Sequence, residues 1–207
     1  MVEKIESPPA MILAGGLSRR MGGGDKGLLR LDDRPILAHV IERVRPQVSA
    51  LALNANGDVA RFAAFDLDVV ADSIPGHAGP LAGLLAGLDW SRRVAPGASH
   101  LLTVPSDTPF LPLDLAAKLR TAIQSPADSA IAATASRVHP VIGLWSLAIR
   151  DRLRDAVLSE GIRKVEAWTE RIGARAVVFD AARFDPFFNI NRPEDLERAG
   201  EVMRLNP

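Results

Sequence analysis

Apolar runs and helical stripes take turns along the chain. Ala10 to Leu13 is a short apolar run that stops at Gly15-Gly16, the pattern of a buried strand feeding a loop. That loop runs to about Arg34. Pro35 then opens a helical pattern with Ile36, Val40, Ile41 and Val44 on one face. Val48 to Leu53 is β-like and closes on Asn54 and Asn56-Gly57, Val59 to Phe65 is a short helix candidate, and Leu67 to Ala71 is a strand ended by Asp72. Gly79 to Trp90 reads as a helix despite Gly83 and Gly87, His100 to Val104 as a strand ended by Pro105, and Leu113 to Ile123 as an amphipathic helix. This strand–helix alternation predicts a mostly parallel sheet covered on both faces, with ligands beyond the carboxyl ends of the strands.

The second half is less regular. Ser129 to Ala135 and Val141 to Trp145 read as paired strands, Ala148 to Leu158 and Ile162 to Ile172 as helices, Ala174 to Phe179 as a strand and Phe187 to Ile190 as a short strand. Arg192-Pro193 starts a last helix over Glu194 to Met203. Residues 1–9 read as a disordered tail and 10–207 as a single α/β domain.

Composition narrows the chemistry. The 207 residues are 47% hydrophobic, enough for a sizeable core. The 25 basic residues balance the 25 acidic ones, so no global field points to nucleic acid or an anionic membrane. The absence of cysteine excludes disulfides, thiolate catalysis and cysteine-ligated metals. No apolar stretch is long enough for a signal peptide or a membrane span, and a cytoplasmic location is the expectation.

The polar residues of interest follow the predicted strand ends. The first loop, Leu13 to Gly27, is rich in glycine, whose bare backbone N–H groups can approach phosphate oxygens. Arg19, Arg20 and Lys26 add the positive charge that phosphoryl chemistry needs. Lys26 is notable because only Lys4, Lys26, Lys118 and Lys164 break the arginine bias of the basic residues. Gly22, Gly24 and Gly27 match the dinucleotide fingerprint only in form, since eight residues separate them from the strand, and no Walker-type loop occurs. Asp107, between Pro105 and Pro109, is a stiffly held carboxylate of the kind Mg²⁺ shares with phosphate oxygens; an Asx-type turn is its competing structural role.

Asparagine is scarce, yet Asn54 with Asn56 and Asn189 with Asn191 form two Asn-x-Asn pairs. Residues two apart on extended backbone face the same way, so each pair can offer two amides to one ligand, or serve as turn formers. The carboxylate of Asp72 can accept from both N1–H and N2–H₂ of guanine, or cap a turn. His139, before Pro140, can meet an anionic substrate, whereas His39 and Trp168 read as packing groups.

The ordered set Leu13-Ala14-Gly15-Gly16, Arg20-Met21-Gly22, Asp25-Lys26, Asn54-Ala55-Asn56, Asp72-Ser73, Gly79-Pro80-Leu81-Ala82-Gly83, Asp107-Thr108-Pro109-Phe110, His139-Pro140 and Asn189-Ile190-Asn191-Arg192-Pro193-Glu194 resembles the molybdenum cofactor guanylyltransferase (MobA) family. Ser106 departs from it, standing where several relatives carry cysteine. The resemblance implies a Rossmann-like, nucleotide-diphospho-sugar transferase-like fold whose N-terminal half binds GTP and whose C-terminal half binds molybdopterin. It implies transfer of GMP from GTP to Mo-molybdopterin, with release of pyrophosphate and Mg²⁺ as cofactor.

In that reading Leu13, Ala14 and Gly15 meet GTP through backbone, Lys26 holds the phosphates, Asn54 and Asp72 hold the nucleoside, and Asp107 binds GTP and the metal. Arg20 joins Lys26 and Asp107 in catalysis. Asn189, Asn191 and His139 serve the molybdopterin side, and one of the two asparagines would complete the metal shell. Implied partners are GTP, Mo-molybdopterin and the molybdoenzyme apoproteins or chaperones that take the product, without nucleic acid or membrane. Cytosine in place of guanine, a sugar-1-phosphate acceptor and a non-catalytic pterin carrier are the competing readings.

Overall fold

A computed structural model describes residues 7–14, 25–74, 79–181 and 183–205. Seven strands form the main sheet: β1 (Ala10–Leu13), β4 (Leu51–Asn54), β5 (Asp68–Val70), β6 (His100–Pro105), β7 (Ala130–Ala133), β8 (Val138–Ser146) and β9 (Arg175–Val178), in the order β5-β4-β1-β6-β8-β7-β9. Two short strands, β2 (Arg30–Leu31) and β3 (Arg34–Pro35), form a separate hairpin. Within the main sheet β8 alone runs antiparallel to its neighbours, pairing with β6 and β7, while the other pairings there are parallel. The chain leaves β1 for β4 on one side and later returns to β6 on the other. This reversal opens a crevice at the strand ends, the usual place for a ligand in such a sheet.

Both faces of the sheet's centre are covered, so its inner strands are mostly apolar, while the edge strands β5 and β9 are largely exposed or only partly buried. Successive residues supply opposite cores. Ala10 and Ile12 of β1 pack with helices α1 (Ile36–Val44) and α3 (Leu115–Arg120), while Met11 packs with α2 (Pro80–Val94), α4 (Arg150–Leu158) and α5 (Val165–Ile172). A third, smaller core joins Leu31 of the hairpin and Ile36 to Ile190 and Ala199, anchoring α6 (Pro193–Leu205) against the N-terminal half.

Helix α2 lies close to the sheet because of two glycines four residues apart. A Cβ at Gly87 would stand 2.8 Å from Leu101 Cδ2 and 3.1 Å from Met11 Cβ. One at Gly83 would stand 2.3 Å from Asn54 Oδ1. These glycines are close-approach positions, which is why a helix tolerates them.

The structure revises several expectations. Residues 8 and 9 are not part of a disordered tail: Pro8 and Pro9 are buried, and their carbonyls accept from Ser49 N at 3.0 Å and Leu102 N at 2.9 Å. The expected loop up to Arg34 contains a 3-10 turn at Lys26–Leu28 and the β2–β3 hairpin. Asp32 and Asp33 both have positive φ, 49° and 60°, as a tight hairpin turn requires. Phe187 to Ile190 is not a strand. Phe188 N donates to Asp185 O at 3.1 Å and Ile190 N to Asp107 O at 2.9 Å, so the segment turns and then docks beside β6. The strand expected from Val48 starts only at Leu51, after a 3-10 turn at Arg45–Gln47.

Candidate active site

Register builds the first part of the site. Leu13 pairs with Asn54 on one side and Pro105 on the other, so three strand ends stand level. Just past them, Ala14 N donates to Asn54 O at 2.9 Å and Ser106 N donates to Leu13 O at 3.1 Å. Gly15 and Arg20, expected to hold the triphosphate here, lie outside the described residues.

The asparagines after β4 do share one partner, but it is a protein group. Asn54 Nδ2 donates to Asp72 Oδ1 at 3.0 Å and Asn56 Nδ2 to Asp72 Oδ2 at 2.8 Å, while Asp72 N donates to Asn56 Oδ1 at 2.9 Å. The carboxylate is thus gripped through both oxygens and aimed, with lone pairs left for a ligand. Arg61 locks the neighbouring turn: its guanidinium donates to the Asn56 carbonyl at 2.7 Å and forms an ion pair with Asp25, one residue before Lys26. Sequence reasoning missed this arginine, because the turn it closes brings together positions far apart in the chain.

Asp107 lies deeper, with 14% of its side chain exposed. Its Oδ2 faces Lys26 Nζ at 3.4 Å, and its Oδ1 is buried without a hydrogen-bond partner among the described residues. Burial pushes its pKa up, and the charge and hydrogen bond of Lys26 offset this only in part. A buried carboxylate oxygen left without a donor fits a cation: Mg²⁺ takes one or two carboxylates and completes its shell with phosphates and water. Among the described residues no cluster of three or more His, Cys, Asp or Glu could form an all-protein cage.

Lys26 reaches across the molecule. Besides Asp107 its ammonium donates to Asn191 Oδ1. Asn189 Oδ1 accepts from Thr108 Oγ1 at 3.2 Å. Each asparagine oxygen thus already accepts one hydrogen bond.

The second part of the site arises from an irregularity. Between β7 and β8, Ile131 pairs with Gly143 but Ala132 pairs with His139, so Pro140 to Ile142 bulge from the ladder. Against β6 the pairing of β8 ends at Thr103–Gly143. Beyond that point β8 parts from β6 and leaves a cleft of about 610 Å³, lined by residues that include Pro105, Arg137, His139, Asn189, Asn191 and Arg192. The parting is stabilised from below: Thr103 Oγ1 donates to Val141 O at 2.7 Å and accepts from Trp145 Nε1 at 2.7 Å.

His139 is 7% exposed in its side chain, and its Nε2 lacks a hydrogen-bond partner among the described residues. It lies 4.0 Å from Asp185 Oδ1, and Asp185 also accepts from Arg137 Nη2 at 3.3 Å. Burial lowers the His139 pKa, Arg137 adds to this, and Asp185 opposes it. His39, by contrast, is structural, with Nε2 2.9 Å from Leu31 O.

Lys26, Asp107, Asn189 and Asn191 thus come together, Asn54 and Asp72 form a second group on the same rim, and His139 shares the cleft with the two C-terminal asparagines. Among the described residues, no helix is long and apolar enough to cross a membrane.

Comparison with known proteins identifies the family and the fold. Residues 10–173 match the family model described as the MobA-like NTP transferase domain. The chain is 52% identical over 198 residues to the molybdenum cofactor guanylyltransferase of Bradyrhizobium sp. (strain ORS 278), covering 95% of this chain and 93% of that protein. It is also 52% identical over 200 residues to the enzyme of that name from Rhodopseudomonas palustris (strain HaA2), covering 96% and 94%. The crystal structure of molybdopterin-guanine dinucleotide biosynthesis protein A from Archaeoglobus fulgidus superposes with a TM-score of 0.70 at 22% identity, over 95% of this chain and 99% of that one, and so shares the fold.

Proposed function

The chain belongs to the MobA-like NTP transferase family, and from that premise we propose that it transfers GMP from GTP to the terminal phosphate of molybdopterin, releasing pyrophosphate. The observation that carries this reading is the meeting of Lys26, Asp107 and Asn191 where the strand-end rim adjoins the cleft. A nucleotide on the rim and a phosphate in the cleft would approach each other there.

The reaction is an in-line displacement. An oxygen of the acceptor phosphate forms a bond to the α-phosphorus, the bond from that phosphorus to the bridging oxygen breaks, and pyrophosphate leaves with the electron pair. A phosphate monoester is largely ionised near neutral pH, so no protein base is needed. The work left to the protein is positioning and charge neutralisation. Lys26 offsets charge on the departing side, and the backbone of Leu13 and Ala14 borders the triphosphate. Asp72, aimed by Asn54 and Asn56, reads the N1–H and N2–H₂ edge of guanine. Arg137 and Arg192 on the cleft wall balance the acceptor's charge, and His139 offers a neutral ring nitrogen. Asp107 would hold Mg²⁺, which when bound would supply charge neutralisation for the triphosphate.

Calorimetric titration with GTP, CTP and ATP, each with Mg²⁺, tests the nucleotide half. Selective binding of GTP that is lost in Asp107→Ala is expected. Preference for CTP would move the reading to a cytidylyl transfer, and no nucleotide binding would leave a pterin carrier.

A further inference from the structure

We propose that Asn191 is a positioning residue for Lys26: its side-chain oxygen fixes the ammonium that meets the triphosphate. The proposal rests on the nucleotidyl-transfer reading above. Lysine is a compact charge on a flexible stem with three donors and much conformational freedom to lose. Here one donor goes to Asn191 Oδ1, a second faces Asp107 Oδ2 at a loose 3.4 Å, and a third has no partner among the described residues. The contact to Asp107 Oδ2 is the looser of the two, on a carboxylate whose other oxygen is the one a cation would engage.

Asn191 is built for the task. Its N donates to Asp195 Oδ2 at 2.8 Å, its Nδ2 lies 3.4 Å from Asn189 O, and the next residue back is tied to Asp107 by the Ile190 N to Asp107 O bond of 2.9 Å. Thr108 Oγ1 adds a tie to Asn189 Oδ1 at 3.2 Å. The amide is thus fixed relative to Asp107, not carried on a free loop. Its chemistry matters as well. A neutral amide oxygen orients an ammonium without cancelling its charge, whereas a carboxylate there would neutralise it and repel the triphosphate.

The test is a double-mutant cycle on GTP binding with Mg²⁺, using wild type, Asn191→Ala, Lys26→Ala and the double variant. Asn191→Ala is expected to weaken GTP about ten-fold, the scale of one hydrogen bond to a charged group, and to have little further effect once Lys26 is alanine. Asn191→Asp is expected to bind GTP more weakly than Asn191→Ala. Amine labelling of the free protein gives a second readout. Lys26 should react several-fold faster in Asn191→Ala, with Lys118 and Lys164 unchanged, and should stay protected in Asn191→Asp. Unchanged GTP affinity in Asn191→Ala, or losses that simply add in the double variant, would overturn the proposal while leaving the transferase reading intact. Failure of the wild type to bind GTP would overturn both.

Discussion

On one side of the sheet Leu13, Asn54 and Pro105 stand level at the ends of three parallel strands; on the other, His139 and Pro140 sit where an antiparallel strand slips out of register. The rim is placed by ladder hydrogen bonds and by a helix pressed onto it through Gly83. The cleft is placed by a bulge, by a turn at 184–191 and by side-chain bonds, and β-bulges commonly re-aim side chains beside active sites. Rim substitutions should therefore cost stability and nucleotide binding together, and cleft substitutions should change acceptor use at little cost to the fold.

The largest effect is expected where the two regions meet. Lys26→Ala and Asp107→Ala should each lower the rate of pyrophosphate release by about 10²–10³-fold, the scale of losing one electrostatic stabiliser, with both substrates saturating. A rate within a few-fold of wild type would remove that residue from the chemistry.

Next comes Gly83→Ala. The added Cβ would meet Asn54 Oδ1 at 2.3 Å and Leu13 Cδ2 at 2.9 Å, an overpacking that should cost roughly 1–3 kcal/mol in denaturant unfolding and weaken GTP binding. Gly200→Ala is the contrast, since in helix α6 its Cβ would meet nothing within 4 Å. It should stabilise the protein by about 0.5–1 kcal/mol without changing nucleotide affinity.

On the cleft side, Arg137→Ala removes a surface-type ion pair with Asp185 that is worth little to stability, about 0–1 kcal/mol. It should raise the acceptor KM several-fold and leave the GTP Kd as it is. A parallel loss of GTP affinity would mean that the two regions are not separable in this way.

The smallest effect concerns pH. Burial holds the Asp107 carboxyl above its ordinary range, so the folded chain keeps that proton to higher pH than the unfolded one. Its ionised form therefore counts against folding at neutral pH, and the penalty fades as pH falls through the raised pKa towards the usual carboxylate value. Asp107→Asn should raise the unfolding midpoint of the nucleotide-free protein at pH 7, with the gain shrinking in acid. A lowered midpoint would mean that the Lys26 pair outweighs burial.

The same contrast explains what could be read from sequence. The apolar runs marked β1, β4 and β6, and with them the rim, because strands buried on both faces are apolar along their length, and the shorter apolar run at 67–71 marked the edge strand β5. Asn54, Asp72 and Asp107 followed as polar residues after strand ends. The cleft was harder. His139 and the Asn189–Asn191 pair could be picked out by type, but a bulge is a matter of register between two strands and leaves no local signature in one of them. Phe187 to Ile190 has strand composition yet is drawn into a turn by Asp185 and onto Asp107 by its backbone. The spacing of Asn54 and Asn56 suggested two amides on one ligand or a pair of turn formers, whereas both amides donate to the protein's own Asp72. Nothing in the spacing of Asn191 pointed to Lys26, 165 residues away.

The most direct test of guanylyl transfer is to incubate the purified protein with Mo-molybdopterin, Mg²⁺ and either GTP or CTP, and to weigh the pterin product. The expected result is a product heavier by one GMP unit with GTP, one pyrophosphate released for each, and none with CTP. A cytidylyl product, or tightly bound GTP with no transfer to the pterin, would contradict it.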